Sequence, residues 1–261
     1  MKAKRVTGLV SAGGISESFL LRMPALLRSL GPVKAGSLQV ARRVANSLRA
    51  GFGVADYAAL DSCNLVWLAV PDEMLEDVVR ELAEQTRLNG KMVVLCESAR
   101  DSFWLAPLLG GARVATLNLA EESDERVLIA EGHPDVIREL SRLAAEEKRK
   151  LITLRPGSKA MYLAGKHLAR YLLLPWIAAA VESLRAAGFS RAEAMRTVGE
   201  MGERSLRGYG KAGRRAWSPV VPSALRSALD GNVESVRALD PGLAALYEAG
   251  IGHALSYFEK P

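Results

Sequence analysis

The chain has little of the side-chain chemistry on which many enzymes depend: two cysteines, Cys63 and Cys96, and three histidines, His133, His167 and His253, in 261 residues. None of these is spaced with another or with carboxylates as metal ligands, so no metal site is expected. The scarcity also argues against a nucleophilic triad. No G-x-S-x-G elbow occurs, and Ser98 has no histidine beside it in the sequence. So few thiols, and no secretory leader in the sequence, point to a reducing compartment, and a cytoplasmic location is expected. Long hydrophobic runs are lacking as well. The longest, over 171–181, is too short to cross a bilayer, and Lys166, His167 and Arg170 stand just before it. No membrane segment is expected.

What remains is an ordinary globular composition, 49% hydrophobic and 25% charged, with a formal net charge of +6. The excess is uneven. Residues 1–155 carry 21 basic and 20 acidic side chains, and the remainder carries 14 and 9. The densest basic stretch holds Arg204, Arg207, Lys211, Arg214 and Arg215 among Gly202, Gly208, Gly210 and Gly213. It reads as a flexible basic loop, either a solvated surface or a place that meets phosphates. Aromatic interleaving there is limited to Tyr209 and Trp217, too little for a single-strand binder, and no nucleic-acid partner is expected.

The organising stretch is 6–16, an apolar run ending in small residues: a buried strand, a tight turn and a helix start. In a dinucleotide-binding βαβ unit this turn is G-x-G-x-x-G. Here its three glycine positions are Ser11, Gly13 and Ser16, so only the middle glycine survives.

Downstream the pattern alternates. Helix is expected over 17–30 with a break at Pro24, strand over 33–40 and helix over 41–50. Strand 65–70 is continuously apolar, as a central parallel strand is, and Pro71-Asp72 opens a helix whose apolar face is Met74, Leu75, Val78, Val79 and Leu82. Strands are expected at 92–96, 114–119, 126–130 and 151–154, with helix over 134–150. Such spacing specifies a doubly wound parallel sheet with right-handed crossovers. From Gly157 onward only helices are expected: 159–187 interrupted at Pro175, 191–207, 222–229, 233–239 and 241–258. The fold class is therefore α/β, a Rossmann-type domain over 1–156 followed by an all-α domain over 157–261. The long helix is apolar on more than one face, as a core helix or a subunit interface is.

Ligands of such sheets bind at the carboxyl ends of the strands. The expected cofactor residues are Ser11, Ala12, Gly13, Gly14, Ile15, Ser37, Leu38, Arg42, Val70, Pro71 and Ser98. After the second strand, where an acid would take the ribose hydroxyl of NAD, the sequence has Gly36-Ser37-Leu38-Gln39 with Arg42 and Arg43 behind. That tilts the expected cofactor to NADP. Hydride transfer asks little of the protein beyond orientation and one acid or base; Lys159, Tyr162, Lys166 and His167 are the candidates for that role.

The turn at 11–16, the strand ending in Val70-Pro71-Asp72, the strand 93–98, the segment Ala115-Thr116-Leu117-Asn118-Leu119 and the helix opening with Lys159-Ala160-Met161-Tyr162 together resemble one group. It is the Rossmann-like proteins with a C-terminal DUF2520 domain, relatives of pyrroline-5-carboxylate reductase and 6-phosphogluconate dehydrogenase. The resemblance spans nearly the whole chain. It implies an NADP-binding Rossmann domain, a helical dimerisation domain and an active site between them, hence a homodimer through the C-terminal helices with a dinucleotide and a small molecule as ligands. The chain departs from the family's pattern at several points. Its His-Pro is Asn118-Leu119 here, its Tyr-His is Tyr162-Leu163, and an expected Asn is Arg170. Two readings stay open: an NADP-dependent oxidoreductase acting on a small substrate that could be anionic, or a catalytically silent dimer that binds a nucleotide or another phosphorylated ligand as a regulator or scaffold.

Overall fold

The computed structural model describes residues 6–13, 22–120, 126–216, 223, 226–227 and 231–258. The chain divides into two compact units, Met1–Gly165 and Lys166–Pro261.

The first unit is built on one eight-stranded sheet in the order β3-β2-β1-β4-β5-β6-β7-β8. Its strands are β1 (Thr7–Ser11), β2 (Leu30–Lys34), β3 (Phe52–Val54), β4 (Leu65–Ala69), β5 (Met92–Cys96), β6 (Arg113–Leu119), β7 (Val127–Gly132) and β8 (Lys150–Thr153). The first six run parallel. β7 then pairs antiparallel with β6, and β8 follows β7 in parallel, so the sheet is mostly rather than wholly parallel. Gly132 closes β7 against Ala115 of β6. Its φ is +136°, and a Cβ there would lie 2.4 Å from the Val114 carbonyl oxygen.

Alternation along each central strand fills two cores. Leu9, Trp67 and Val94 face one side, with Val33, Leu117 and Leu128, whereas Val10, Val66, Leu68, Val93 and Leu95 face the other. Successive side chains point to opposite faces, and both faces are covered, which is why β4 reads as unbroken apolar sequence. Each such side chain contributes about 1.5–3 kcal/mol on leaving water. The helices that cover the faces include α1 (Pro24–Leu27), α2 (Leu38–Leu48), α3 (Asp72–Gln85), α4 (Ser102–Leu105) and α5 (Pro134–Glu146). Cys63 and Cys96 are free thiols, 1% and 3% exposed.

Several expectations shift: the strand expected over 33–40 ends at Lys34, and the helix expected over 41–50 runs over Leu38–Leu48. The second strand begins at Leu30 and contains Gly31-Pro32, the pair expected to precede it. Two steps along β1, Thr7 to Leu9, match three along β2, Leu30 to Val33. The proline therefore sits at a bulge, where a strand tolerates a missing N–H donor. The first helix is described only from Pro24, its expected portion over 17–21 lying outside the described residues, as does most of the helix expected over 222–229.

The second unit is helical. α6 (Lys159–Ala169) leads into it, followed by α7 (Leu173–Ala186), α8 (Arg191–Ala212), α9 (Val233–Leu239) and α10 (Pro241–Phe258). The long expected helix breaks between Ala169 and Leu173, which puts Pro175 in the first turn of α7, where its missing N–H costs nothing. The stretch expected as a basic loop is mostly the last half of α8, continuing into a 3-10 turn over Gly213–Ala216. A full capping box at Ser190 and Glu193 starts that helix. Among the described residues, no helix is long and apolar enough to cross a membrane.

Candidate functional site

The chain order puts β2 on one side of β1 and β4 on the other, so the crevice at the carboxyl ends of β1 and β4 is the topological switch point. Ser11 and Ala69 are register partners there, and the Ala12 N–H donates to the Ala69 carbonyl at 3.4 Å. This joins Ser11, Ala12 and Gly13 to Val70 and Pro71. The Ser11 hydroxyl accepts the Gly13 N–H at 3.0 Å, closing the turn.

Gly13 has φ +82°, and a Cβ on it would lie 3.1 Å from Val40 Cγ1 and 3.9 Å from Arg43 Nη2. The backbone there is bare and in a conformation that favours glycine. Gly14 and Ile15 lie outside the described residues. Ser37 caps α2, its hydroxyl accepting the Val40 N–H at 3.2 Å, so Leu38 opens the helix. Arg42 is exposed, and a Cβ on Gly53 of β3 would lie 2.6 Å from its backbone nitrogen and 2.8 Å from its Cγ.

Next along the rim, the loops after β4 and β5 are braced together. Asp72 accepts a short hydrogen bond from the Ser98 hydroxyl and another from the Ala99 N–H at 3.0 Å. Ser98 is 2% exposed and its hydroxyl also accepts the Arg100 N–H at 2.9 Å, so it is a strut of the loop. The Asn118 amide donates to the Ser98 carbonyl at 3.1 Å. Between them Glu97 adopts φ +51°, rare for a side chain with a Cβ, while its carboxylate accepts the Leu119 N–H at 2.5 Å.

Beneath this rim lies a buried polar cluster. Glu131 is fully buried and accepts from the Ser102 N–H at 2.6 Å, the Ser102 hydroxyl at 2.7 Å and the Thr116 hydroxyl at 3.2 Å. Lys159, 1% exposed, donates to the Arg100 carbonyl at 2.7 Å and has no other hydrogen-bond partner among the described residues. Burial pushes its ammonium down to about 8, against the opposing pull of Glu131, Asp72, Asp101 and Glu97. An amine in that range can hold or release a proton near neutrality. Tyr162, half-buried one turn on, places its hydroxyl 3.4 Å from the Ala120 carbonyl oxygen. Lys166 and His167 fall in the second unit, where the exposed His167 ring lies 5.8 Å from that of Tyr171.

Sequence reasoning set Asp72 and Glu97 on the expected strand-end rim without their bracing roles and passed over Glu131 as a participant in this site. Glu131 did leave a signal, a carboxylate inside the apolar run Val127 to Ala130 and Gly132. Glu97 left none, because a left-handed backbone at a glutamate has no sequence signature.

No protein-family model matches the chain, and no curated protein matches its sequence. Solved structures do match its fold. An imine reductase from Myxococcus stipitatus in complex with NAD+ superposes with a TM-score of 0.67 at 14% identity, over 100% of both chains. An imine reductase from Aspergillus terreus in complex with NADPH4 gives a TM-score of 0.67 at 16% identity over 95% of each chain. A pyrroline carboxylate reductase from Plasmodium falciparum with NADP bound gives 0.53 at 10% identity over 98% of each. At these identities the likeness is one of fold: a Rossmann-type sheet followed by a helical C-terminal region.

Proposed function

We propose that the chain is an NADP-dependent oxidoreductase of a small substrate, acting as a homodimer and affiliated with the Rossmann and DUF2520 group. The observation that carries this reading is Gly13 at the switch point, left-handed and bare where a dinucleotide's pyrophosphate approaches the backbone. The residues present fit such a group. Ser11 to Gly13, Val70 and Pro71 would border it, and no carboxylate stands at the end of β2 to repel a ribose phosphate. The similar structures that hold nicotinamide dinucleotides support the same reading.

Bound there, the dinucleotide would supply or accept a hydride. The protein's part is orientation and a proton. Lys159 holds one at Nζ, shielded from water and with a single hydrogen bond, and the Tyr162 hydroxyl stands at the same edge of the sheet. The braced loops of Asp72, Ser98 and Glu97 keep that edge rigid without spending Lys159.

The homodimer rests on the helical unit's own composition of surfaces. Among its described residues only Val181, Ala194, Val233, Ala244 and Ile251 are buried hydrophobics, while Leu168, Tyr171, Leu172, Leu173, Leu174 and Trp176 are 41–62% exposed. So small a core is marginal alone, and so much contiguous apolar surface needs a cover. A second copy supplies one of matching chemistry.

A second reading is a silent nucleotide-binding dimer. It is favoured by Asn118, whose amide is spent on the Ser98 carbonyl where the family carries His-Pro. Titration of the purified protein with NADPH and NADH, followed by energy transfer from its four tryptophans and by calorimetry, tests both. Binding with turnover of small imines or carbonyls supports the oxidoreductase; binding without turnover of any supports the silent dimer. Gly13→Val should abolish dinucleotide binding with the fold intact, and unchanged affinity would overturn the site.

A further inference from the structure

The amino ends of the strands carry a second concavity. Thr7, Leu65, Met92 and Arg113 are register partners from β1 through β4 and β5 to β6, a row about 14 Å long at the usual strand spacing. An open groove of about 1130 Å³ is lined by all four, together with residues of α1, α5 and the loops that enter β2, β4 and β5. It lies at the edge of the sheet opposite the glycine turn, the length of a five-residue strand away, about 15 Å.

The lining holds five cations and three carboxylates, and their partners differ. Arg142 is held by Glu139 at 2.7 Å and by Glu146. Arg113 donates to Asp135 at 2.9 Å and to the Gly90 carbonyl at 2.6 Å. The third carboxylate, Asp61, accepts the backbone N–H of Arg87 at 2.7 Å. Lys91 donates to the carbonyls of Asp61 at 2.5 Å and Cys63 at 2.8 Å, which leave its charge unneutralised. The guanidiniums of Arg28 and Arg87 remain. Both residues are exposed, and neither guanidinium has a hydrogen bond or ion pair among the described residues.

Two unspent guanidiniums and an ammonium thus line one groove whose carboxylates are all bonded elsewhere. The space is that of a small-molecule site. A polyphosphate suits it, because its charge is spread over several oxygens and each planar fork can take two of them. We propose that this groove is a second ligand site, which takes a phosphorylated small molecule of nucleotide size, with Arg28 and Arg87 gripping its phosphates. It is separate from the dinucleotide crevice and does not rest on that reading.

The test is calorimetric titration of the full chain with ATP, inorganic pyrophosphate and citrate, in the unaltered protein and in Arg28→Met, Arg87→Met and Arg80→Met. Arg80, an exposed residue of α3 paired with Glu76 and Asp77, controls for the loss of one positive charge outside the groove. ATP and pyrophosphate should bind. Arg28→Met and Arg87→Met should each weaken both by at least about tenfold, and Arg80→Met should leave them within about twofold. ATP should bind unchanged beside saturating NADPH, and more weakly as salt rises. No heat from ATP or pyrophosphate at millimolar concentration would overturn the proposal, as would equal losses in all three variants or losses in none. Displacement of ATP by NADPH would put it in the crevice at β1 and overturn the second site. Citrate binding tighter than pyrophosphate, with the same dependence on the two arginines, would make the ligand a polycarboxylate and overturn the phosphate assignment.

Discussion

The Lys159 ammonium donates to the carbonyl oxygen of Arg100 across 2.7 Å, tying the first turn of α6 to the loop that follows β5. That ammonium sits in surroundings that disfavour its charge, with a native pKa of about 8 against an ordinary value of 10.5. Between those values the unfolded chain binds a proton that the native chain has released. Native stability should therefore rise as pH climbs from about 8 to 10.5, with the cost fully present below 8. The cost is on the order of 3 kcal/mol. Urea midpoints across this range should show the climb in the difference between the unaltered protein and Lys159→Met, which cancels other groups. Lys159→Met should be the more stable at pH 7, by about 1–3 kcal/mol. Under the oxidoreductase reading it should also lose turnover without losing dinucleotide affinity.

Glu131 has the opposite character. It satisfies the Ser102 N–H and the hydroxyls of Ser102 and Thr116 at once, and Glu131→Ala would orphan all three in a dry interior. A loss of about 3–5 kcal/mol in urea unfolding is expected. Ser102→Ala, which removes one donor and leaves the carboxylate two, should cost only about 1 kcal/mol.

Two glycines make a contrasting pair. Gly132→Ala forces a Cβ to 2.4 Å from the Val114 carbonyl and 2.5 Å from Ala115 Cα, both backbone, at φ +136°. It should cost at least about 3 kcal/mol or prevent folding. Gly36→Ala meets nothing and should be neutral or stabilise by about 0.4–1 kcal/mol through the unfolded chain. Thermal melts of the two variants side by side would check both signs.

If a second copy covers the helical unit, a charge set into the exposed apolar stretch should expose the association. Leu172→Glu with Leu174→Glu, at side chains 54% and 59% exposed, should convert a dimer to monomer in sedimentation velocity. An unaltered chain that sediments as a monomer would refute the assembly.

The strands with unbroken apolar sequence, β4 and β5, were legible residue by residue, because two buried faces leave no room for polar alternation. β2 was displaced because Gly31-Pro32 carries the local signature of a terminator, and only the bulge against β1 makes it a strand. The reversal of β7 was invisible, since a strand's direction is set by which neighbour it pairs with and not by its own side chains. At the candidate site, the small residues at 11–13 and the Val70-Pro71 turn could be read in advance. The braces of Asp72, Ser98 and Glu97 could not, since they join residues up to 27 positions apart through hydrogen bonds that no local pattern encodes.

The two thiols have a use beyond packing. Cys96 closes a central strand and Cys63 lies under the opposite core, and burial raises the pKa of both, most strongly at Cys96. Neither can meet a water-borne alkylating reagent while the sheet stays closed, and neither is a ready thiolate. Each labelling event therefore records one opening of the sheet, so the pace of alkylation in native buffer becomes a clock for excursions too rare for spectroscopy to see.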